Sequence, residues 1–336
     1  MVSDEYCCPR CKGALSSLPD AYACATCNGR YPVVLGIPDF RVFPDPYIGI
    51  VEDHRKGARI AKRALETDFR GLVDYYWSIT PEEPSDMARR FTAQALAGAQ
   101  RGRHLLEGQE SVKAQLVRPG TRVLDIGART GGLLRAAAER CGEVVGIDIA
   151  FRWLIIARKR LDEAGLPAQL VCCCAEFLPF RESAFDLVLA ENVLEHTAQQ
   201  QQCIEEAHRV LKPNGIFFAT TWNRLAVAPE PHVRLWGVGW MPPGLAKRYV
   251  KLRKGVSYDH VWLLSVFQLA RMVRRTAFRR CVIVLPTFSP AELANVSAPQ
   301  RLAVALYHRI KDWPLFRGLL RIFGPVLHLV CVRGPR

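Results

Sequence analysis

Val123-Leu124-Asp125-Ile126-Gly127-Ala128-Arg129-Thr130-Gly131-Gly132 is the stretch that decides the fold of this 336-residue chain. Residues 123–126 are expected to form a short buried strand, and residues 131–141 a helix. A strand that ends in glycine lets the backbone turn sharply beneath a ligand, and the N–H groups at the start of the following helix point toward it. The stretch therefore predicts a strand, a ligand-binding loop and a helix.

Strands and helices alternate on both sides of this loop, as a parallel sheet with crossover helices requires. The predicted helix 204–211 is followed by a turn at Lys212-Pro213-Asn214-Gly215, where proline and glycine are tolerated. Together with residues 123–126, the predicted strands are 144–147, 168–173, 185–190, 216–220, 281–285 and 326–332. The pattern predicts an α/β fold built on one seven-stranded sheet.

Residues 123–132 and four later segments resemble the motifs of one family and occur in the same order as in that family. Residues 123–132 resemble motif I of the class I methyltransferases, VLDIGCGTGG. The later matches are residues 174–180 (similar to D-A-E-x-L-P-F), 183–186, 192–196 and 209–215. The chain thus resembles S-adenosylmethionine-dependent methyltransferases with a type 11 core, similar to those of ubiquinone and menaquinone biosynthesis. A nicotinamide dehydrogenase is disfavoured because the glycine spacing is not G-x-G-x-x-G.

The resemblance implies a Rossmann-like site for S-adenosylmethionine. Asp125 would meet the cationic amino-acid end of the cofactor, and Asp148, at the end of the second strand, would accept both ribose hydroxyls. Two residues depart from the family: Arg129 replaces a glycine, so its side chain must point away from the cofactor or cover it, and Cys174 replaces an adenine-binding Asp. The expected cofactor-binding residues are Asp125, Gly127, Arg129, Gly131, Asp148, Ile149, Ala175, Glu176 and Glu191.

Two histidines are candidate catalytic residues. His196 follows the fourth strand and could take a proton from an acceptor hydroxyl, or it could simply orient the loop. His232 lies in an insertion at residues 222–260, where Trp236 and Trp240 could line an acceptor pocket or form a rigid aromatic clasp. Methyl transfer from a sulfonium is an in-line displacement, so a base is needed only if the acceptor must lose a proton.

The amino terminus contains two copies of C-x-x-C-x-G, with Cys8 and Cys11 in the first and Cys24 and Cys27 in the second. Two such pairs complete a tetrahedral four-thiolate shell, which predicts a structural Zn²⁺ ion. Cys7 competes with Cys8 as a ligand, and the repeated pattern favours Cys8. Residues 7–40 resemble the zinc ribbon of the small activator subunit of tRNA and ribosomal RNA methyltransferases. The other cysteines are expected to be buried thiols rather than disulfides.

Composition divides the chain further. We expect a zinc ribbon at residues 1–40, a helical linker or lid at 41–115, and the methyltransferase core at 116–336 with an amphipathic insertion at 290–324. The last 96 residues hold 17 Lys and Arg against 3 Asp and Glu, whereas the first 240 hold 29 of each sign. Such a basic end predicts an anionic partner. Two helices within residues 301–323 could lie on an anionic bilayer, but we favour their packing against the sheet.

The expected function is methylation of a small-molecule or lipid-linked acceptor. RNA is the alternative acceptor, because zinc ribbons accompany several RNA-modifying enzymes and arginines bind phosphates. A binding or scaffold protein without turnover is the third possibility, favoured only by the two departures at Arg129 and Cys174. The amino terminus has no secretory signal, and this predicts a cytoplasmic protein. Peripheral contact with the inner face of the membrane is left open by the basic C-terminal region.

Overall fold

A computed structural model describes residues 2–81, 85–288 and 298–335 of the chain. The predicted insertion at 290–324 therefore lies partly outside the described residues.

The amino-terminal forty residues form a small antiparallel sheet. Its five strands follow each other in chain order, β1 (Val2–Cys7), β2 (Ala14–Ser17), β3 (Ala21–Cys24), β4 (Arg30–Val34) and β5 (Ile37–Pro38). This sheet packs directly on the rest of the protein: Tyr6 is fully buried against Phe40 and Phe180. The backbone N–H of Cys7 donates to the Pro179 carbonyl at 2.9 Å. The ribbon therefore shares a hydrophobic core with the large sheet.

Four helices join the two sheets: α1 (Ile50–Ala64), α2 (Phe69–Ser78), α3 (Ser85–Glu107) and α4 (Glu110–Leu116). The Asp68 carboxylate caps α2 by accepting a hydrogen bond from the backbone N–H of Gly71 at 2.8 Å. In α2, Tyr76 is buried and Trp77 stacks on Phe91. These aromatic side chains contribute to packing.

The main sheet has seven strands, which confirms the predicted α/β architecture. They are β6 (Arg122–Ile126), β7 (Glu143–Asp148), β8 (Gln169–Cys172), β9 (Phe185–Glu191), β10 (Leu211–Trp222), β11 (Phe278–Val284) and β12 (Val326–Arg333), in the order β11-β12-β10-β9-β6-β7-β8. Only the pairs that involve β12 are antiparallel. The crossover helices are α5 (Gly132–Ala138), α6 (Phe151–Glu163) and α7 (Gln200–Val210). Neighbouring β9, β6 and β7 thus end at one edge of the sheet.

One predicted turn proves to be part of a strand. Residues 212–215 belong to the start of β10, where the pairing with β9 changes register between Leu211 and Ile216. Asn214 takes a left-handed φ of 62° there, and a Cβ at Gly215 would lie 2.8 Å from the Lys212 carbonyl oxygen. The turn residues therefore form an irregularity within the strand instead of a separate loop.

The carboxy-terminal third adds helices around the last two strands: α8 (Pro243–Lys254), α9 (Val266–Arg274) and two C-terminal helices, Ala298–Ile310 and Pro314–Phe323. The favoured packing of the C-terminal helices against the sheet is wrong, because the helix Pro314–Phe323 buries none of its residues. Its apolar side chains are divided: Leu315 and Leu319 are exposed, as are Leu302, Leu306 and Trp313 before them, whereas Phe316, Leu320, Ile322 and Phe323 are half-buried. Across residues 2–81, 85–288 and 298–335, none of the helices combines the length and the apolar character needed to cross a membrane.

A disulfide joins Cys281 of β11 to Cys331 of β12. The two residues are directly opposite each other in the antiparallel pair. The expectation that these cysteines are buried thiols is therefore wrong, because strand pairing brings together two residues that are fifty positions apart.

Candidate functional site

Three carboxylates collect where the adjacent strands β9, β6 and β7 end. They belong to Glu191, Asp125 and Asp148. Burial raises the pKa of Asp125 well above its ordinary value, and the carboxylates of Glu191 and Asp148 raise it further. The Oδ2 atom of Asp125 is buried and has no hydrogen-bond partner among the described residues. This edge of the sheet therefore favours a bound cation.

The loop after β6 depends on left-handed backbone. Gly127 and Gly131 have φ values of 74° and 72°, and a Cβ at Gly127 would lie 2.5 Å from a Val193 methyl group. Arg129 adopts the same region with φ 49°, at a position where the family motif has glycine. Its side chain is exposed, so the strained backbone leaves the guanidinium outside the loop.

Asp148 is held in place by this loop. Its Oδ2 accepts a hydrogen bond from the Arg129 backbone N–H, and its Oδ1 accepts one from the Ala150 backbone N–H, both at 2.8 Å. Burial raises the pKa of Asp148, and these two hydrogen bonds act in the opposite direction. Each carboxylate oxygen keeps a further lone pair, so the side chain can still accept hydrogen bonds from a ligand.

The segment after β8 is more closed than the sequence indicates. The Cys174 thiol lies 3.6 Å from the Phe43 carbonyl, and burial raises its pKa to about 11. The Glu176 carboxylate is buried, and the backbone N–H groups of Ala198 and Gln199, at the start of α7, lower its pKa against the larger effect of burial. The Glu176 side chain thus stabilises the start of a helix, which leaves backbone groups around Ala175 to face a ligand.

Helix α3 packs over the glycine loop. Gly98 of α3 approaches Gly132 so closely that a Cβ on Gly132 would lie 2.8 Å from the Gly98 backbone. One turn later, the Arg101 Nε donates to a Glu191 carboxylate oxygen at 3.0 Å. Helix α3 therefore covers the edge of the sheet where the three carboxylates lie.

A buried ion network, which the sequence analysis missed, supports the other side of this edge. The guanidinium of Arg41 donates to Asp39 at 2.6 Å and to Asp53 at 2.7 Å, and all three side chains are at most 3% exposed. Arg41 also donates to the Ile149 carbonyl at 3.1 Å, and Asp53 accepts from the Phe151 backbone N–H at 2.8 Å. The network thus ties the linker after the ribbon to the loop that follows Asp148. No local pattern in this proline-rich linker indicates it.

His196 and His232 come together although 36 residues separate them, with their Nε2 atoms 3.2 Å apart. The His232 Nδ1 bonds to the carboxylate of Glu230, a buried residue that the sequence analysis did not select. Desolvation by surrounding protein atoms, together with the charges of His232 and Arg129, lowers the pKa of His196 to about 4, although part of the residue is open to solvent. His196 is therefore neutral at pH 7 and can accept a proton.

The tryptophans of the insertion lie at its surface. Trp236 and Trp240 are 61% and 53% exposed. Trp240 stacks on Phe323 with ring centroids 6.0 Å apart, and its Nε1 donates to the Ala226 carbonyl at 3.2 Å. These contacts favour the aromatic clasp over the pocket for Trp240.

The four repeated cysteines converge on one point. The Sγ atoms of Cys8, Cys11, Cys24 and Cys27 all lie within 4.8 Å of one another. Burial raises the pKa of the Cys8 thiol, but hydrogen bonds from the Tyr31 hydroxyl and nearby backbone N–H groups outweigh it and lower the pKa to about 6. Cys7 lies outside the cluster, because its thiol donates to the Phe180 carbonyl at 3.1 Å. Four thiols in this arrangement suit a tetrahedral ion.

Gly13 and Gly29, the glycines of the two C-x-x-C-x-G repeats, lie where a side chain would not fit. A Cβ at Gly13 would lie 2.8 Å from the Thr26 hydroxyl oxygen, and a Cβ at Gly29 would lie 2.8 Å from the Tyr31 hydroxyl oxygen. The residue before each of these glycines has the left-handed backbone: Lys12 with φ 60° and Asn28 with φ 56°.

Comparisons with known proteins agree with this geometry. A family model described as "Methyltransferase domain" matches residues 124–219. The ubiquinone/menaquinone biosynthesis C-methyltransferase of Bordetella avium is 41% identical over 118 residues, which cover 34% of this chain and 46% of that protein. The ubiquinone biosynthesis O-methyltransferase of Idiomarina loihiensis is 33% identical over 178 residues, covering 51% of this chain and 67% of that protein. The chain thus spans about half to two thirds of the length of these relatives.

Two solved structures align with most of the chain at low identity. The possible histamine N-methyltransferase of Thermotoga maritima is 18% identical, with a TM-score of 0.45 over 73% of this chain and 95% of its own. The putative methyltransferase solved with the Trm112 activator of Haloferax volcanii is also 18% identical, with a TM-score of 0.43 over 73% of this chain and 96% of the matched chain. From the family model and the sequence relatives, this chain belongs to the class I S-adenosylmethionine-dependent methyltransferases.

Proposed function

We propose that the chain transfers the methyl group of S-adenosylmethionine to a small-molecule or lipid-linked acceptor. The unpartnered, buried Asp125 carboxylate beside Asp148 and Glu191 carries this proposal. S-adenosylmethionine brings an ammonium and a sulfonium to such a site, and either charge lowers the cost of ionising the carboxylates. A nicotinamide dinucleotide would instead bring an anionic pyrophosphate against them.

In this proposal, residues at the ends of β6, β7 and β9 bind different parts of the cofactor. Asp125 binds the ammonium, and Asp148 accepts the ribose hydroxyls through its remaining lone pairs. The backbone at Gly127, Arg129 and Gly131 lies beneath the methionine part. Residues Ile149, Ala175 and Glu176 border the adenine through their backbone, Glu191 closes the site with Arg101, and α3 serves as the lid.

The methyl transfer itself needs alignment more than acid or base groups. A bond forms between the acceptor atom and the methyl carbon as the sulfur–carbon bond breaks, and S-adenosylhomocysteine leaves as a neutral thioether. If the acceptor is a hydroxyl, its proton goes to the neutral His196. His232, oriented by Glu230, then stabilises the imidazolium that forms.

The named relatives favour a small acceptor. Both act, by their names, in the biosynthesis of ubiquinone or menaquinone. Exposed apolar side chains on the C-terminal helices would suit an acceptor with a lipid tail. We place RNA second; the basic carboxy-terminal region and the four-cysteine ribbon are its support.

The test is transfer of labelled methyl from S-adenosylmethionine into fractionated extract, sorted into small-molecule, lipid and RNA pools. We expect label in the small-molecule or lipid pool. Asp125→Asn should weaken cofactor binding by at least roughly tenfold in calorimetry, about 1.4 kcal/mol. Asp162→Asn, an exposed carboxylate on α6, is the matched control and should bind normally. Label in RNA alone would contradict the proposed acceptor, and equal affinities would contradict the role of Asp125.

We also propose that the helix Pro314–Phe323 touches an anionic membrane surface. Leu315 and Leu319 are exposed and share the helix with Arg317 and Arg321, an arrangement typical of interfacial helices. The protein should sediment with vesicles that contain phosphatidylglycerol and be released by salt. Arg317→Glu with Arg321→Glu should reduce binding, whereas Arg59→Glu with Arg70→Glu, the same charge change on α1 and α2, should not. Equal loss in both variants would contradict a specific surface.

Finally, we propose that Cys8, Cys11, Cys24 and Cys27 bind a structural Zn²⁺. All four positions of a tetrahedral shell are then filled by protein, so the ion stabilises the ribbon and takes no part in catalysis. Because the ribbon shares the core of the large sheet, its loss would affect the whole fold.

A further inference from the structure

The pair of histidines faces a third ligand-type side chain. One ring nitrogen each of His196 and His232 and one carboxylate oxygen of Glu195 all lie within 4.8 Å of one another. Glu195 and His196 follow β9, and His232 comes from the insertion after β10. Two segments that are distant in sequence thus meet at the edge of the sheet that holds the cofactor-binding residues.

The outer nitrogens of the two rings have partners of their own, and the two Nε2 atoms face each other. The His232 Nδ1 donates to Glu230, whose other oxygen accepts from the backbone N–H groups of His232 and Val233, both at 2.8 Å. The His196 ring has its own hydrogen bond to the His260 backbone carbonyl. A neutral imidazole has one N–H; in the tautomer in which each ring donates outward, each presents the lone pair of Nε2 to the other.

Two lone pairs that face each other at 3.2 Å repel unless a cation lies between them. The distance itself suits an ion: two ligands of a tetrahedral site with bonds near 2.05 Å are separated by about 3.3 Å. Outward hydrogen bonds from ligand histidines to a carboxylate and to a carbonyl are the usual support of metal-binding imidazoles.

The third side chain supplies negative charge. Glu195 is completely buried, and its Oε2 accepts a hydrogen bond from the Thr221 hydroxyl at 2.8 Å. Its Oε1 has no partner at hydrogen-bond geometry within the described residues, although backbone N–H groups of Glu195 and Trp222 lie near the carboxylate. Glu230 places a second carboxylate beside the pocket, and the nearby cations are Arg129 and Arg90, whose guanidinium lies 3.5 Å from the His232 carbonyl.

We propose that Glu195, His196 and His232 bind one divalent transition-metal ion. Two imidazole nitrogens and one carboxylate oxygen suit Zn²⁺, Mn²⁺, Fe²⁺ or Co²⁺. Mg²⁺ and Ca²⁺ prefer oxygen ligands, so the two nitrogen donors disfavour them. The Glu195 oxygen and the imidazole nitrogens are up to 4.8 Å apart. The carboxylate must therefore move by about 1.5 Å to reach the separation of about 3.3 Å between two ligands of a tetrahedral site. Three protein ligands leave at least one coordination position open, unlike the four-cysteine cluster.

The open coordination position allows the ion to bind and activate the methyl acceptor. This role rests on the proposed methyl transfer. An acceptor hydroxyl that binds the ion through oxygen becomes more acidic and releases its proton to water. The resulting oxyanion forms the bond to the methyl carbon as the sulfur–carbon bond breaks. The ion then replaces His196 as the group that activates the acceptor.

Cobalt titration tests the site with the full-length protein, after the four-cysteine cluster is saturated with zinc. The wild type should take up about one further Co²⁺ whose visible d–d bands appear without the thiolate-to-metal charge transfer of cysteine ligands. His232→Ala and Glu195→Gln should each weaken this uptake at least tenfold, and Glu230→Gln about tenfold. His308→Ala, an exposed histidine on a C-terminal helix, should not change it.

Cofactor calorimetry and methyl transfer separate this inference from the proposed function. His232→Ala and Glu195→Gln should still bind S-adenosylmethionine with wild-type affinity, which shows that they fold. A wild type that takes up no more Co²⁺ than these variants, or that gives a thiolate spectrum only, overturns the metal site. If such a protein still methylates its acceptor, the proposed function stands without the ion; if the ion binds and no methyl transfer occurs in any pool, the metal site stands alone.

Discussion

Arg41→Met is the substitution that most directly tests how the ribbon is joined to the core. The variant keeps side-chain volume but removes a guanidinium that is 0% exposed and bonded to Asp39, Asp53 and the Ile149 carbonyl. Asp53 keeps the Arg152 guanidinium at 3.0 Å, whereas Asp39 keeps His54 at 2.7 Å and the backbone N–H of residue 41 at 3.1 Å. The substitution therefore leaves one buried carboxylate without its main partner.

Breaking a buried ion pair on one side costs about 3–5 kcal/mol, because the remaining charge stays out of water. We expect the free energy of unfolding of Arg41→Met to fall by this amount in urea titrations followed by circular dichroism. Urea is preferred because guanidinium salts screen ion pairs. The matched control is Arg30→Met, whose pair with Asp20 is 67% and 76% exposed. It should change stability by less than about 0.5 kcal/mol.

The pH dependence gives a second readout. Burial raises the pKa of Asp39, but hydrogen bonds from His54 and Arg41 outweigh it, so the pKa lies below its ordinary value. In the wild type this stabilisation is present above the unfolded pKa of about 4 and is lost as the pH falls through the lower folded value. Without Arg41 the pKa of Asp39 rises, and protonation relieves the buried charge. The stability gap should therefore be widest near pH 7 and narrow below about pH 5. A gap under 1 kcal/mol, or one that does not change with pH, would refute the reasoning.

Three further measurements address the cofactor, the metal cluster and the lid. Asp148→Ala should weaken S-adenosylmethionine binding at least roughly tenfold, about 1.4 kcal/mol, and unchanged calorimetric affinity would remove Asp148 from the site. Purified protein should contain about one equivalent of zinc when the transition-metal site is empty. Cys24→Ser should lose this zinc while Cys141→Ser keeps it, and a metal-free, fully folded wild type would refute the cluster. Gly132→Ala should destabilise the protein by about 1–3 kcal/mol because its Cβ meets the α3 backbone, whereas Gly318→Ala, which meets open space, should be neutral or slightly stabilising. Equal melting temperatures for the two would contradict the close packing of α3.

Features written into short segments could be predicted from the sequence. The seven strands of the main sheet follow from apolar runs and their spacing, and the loop at Gly127 and Gly131 follows from the left-handed backbone that glycine adopts without strain. The convergence of the two cysteine pairs is local in the same sense, since only twelve residues separate them. Such features need no knowledge of what lies across the molecule.

The remaining features were decided by packing between distant segments. The approach of His196 to His232 depends on how the insertion folds back over β9, and the position of Arg41 depends on where the linker crosses the end of β7. The C-terminal helices show the converse: their apolar stripe suggests burial, yet none of the residues of the helix Pro314–Phe323 is fully buried. An amphipathic pattern specifies that a face prefers an apolar partner, whereas the tertiary structure decides whether that partner lies within the chain.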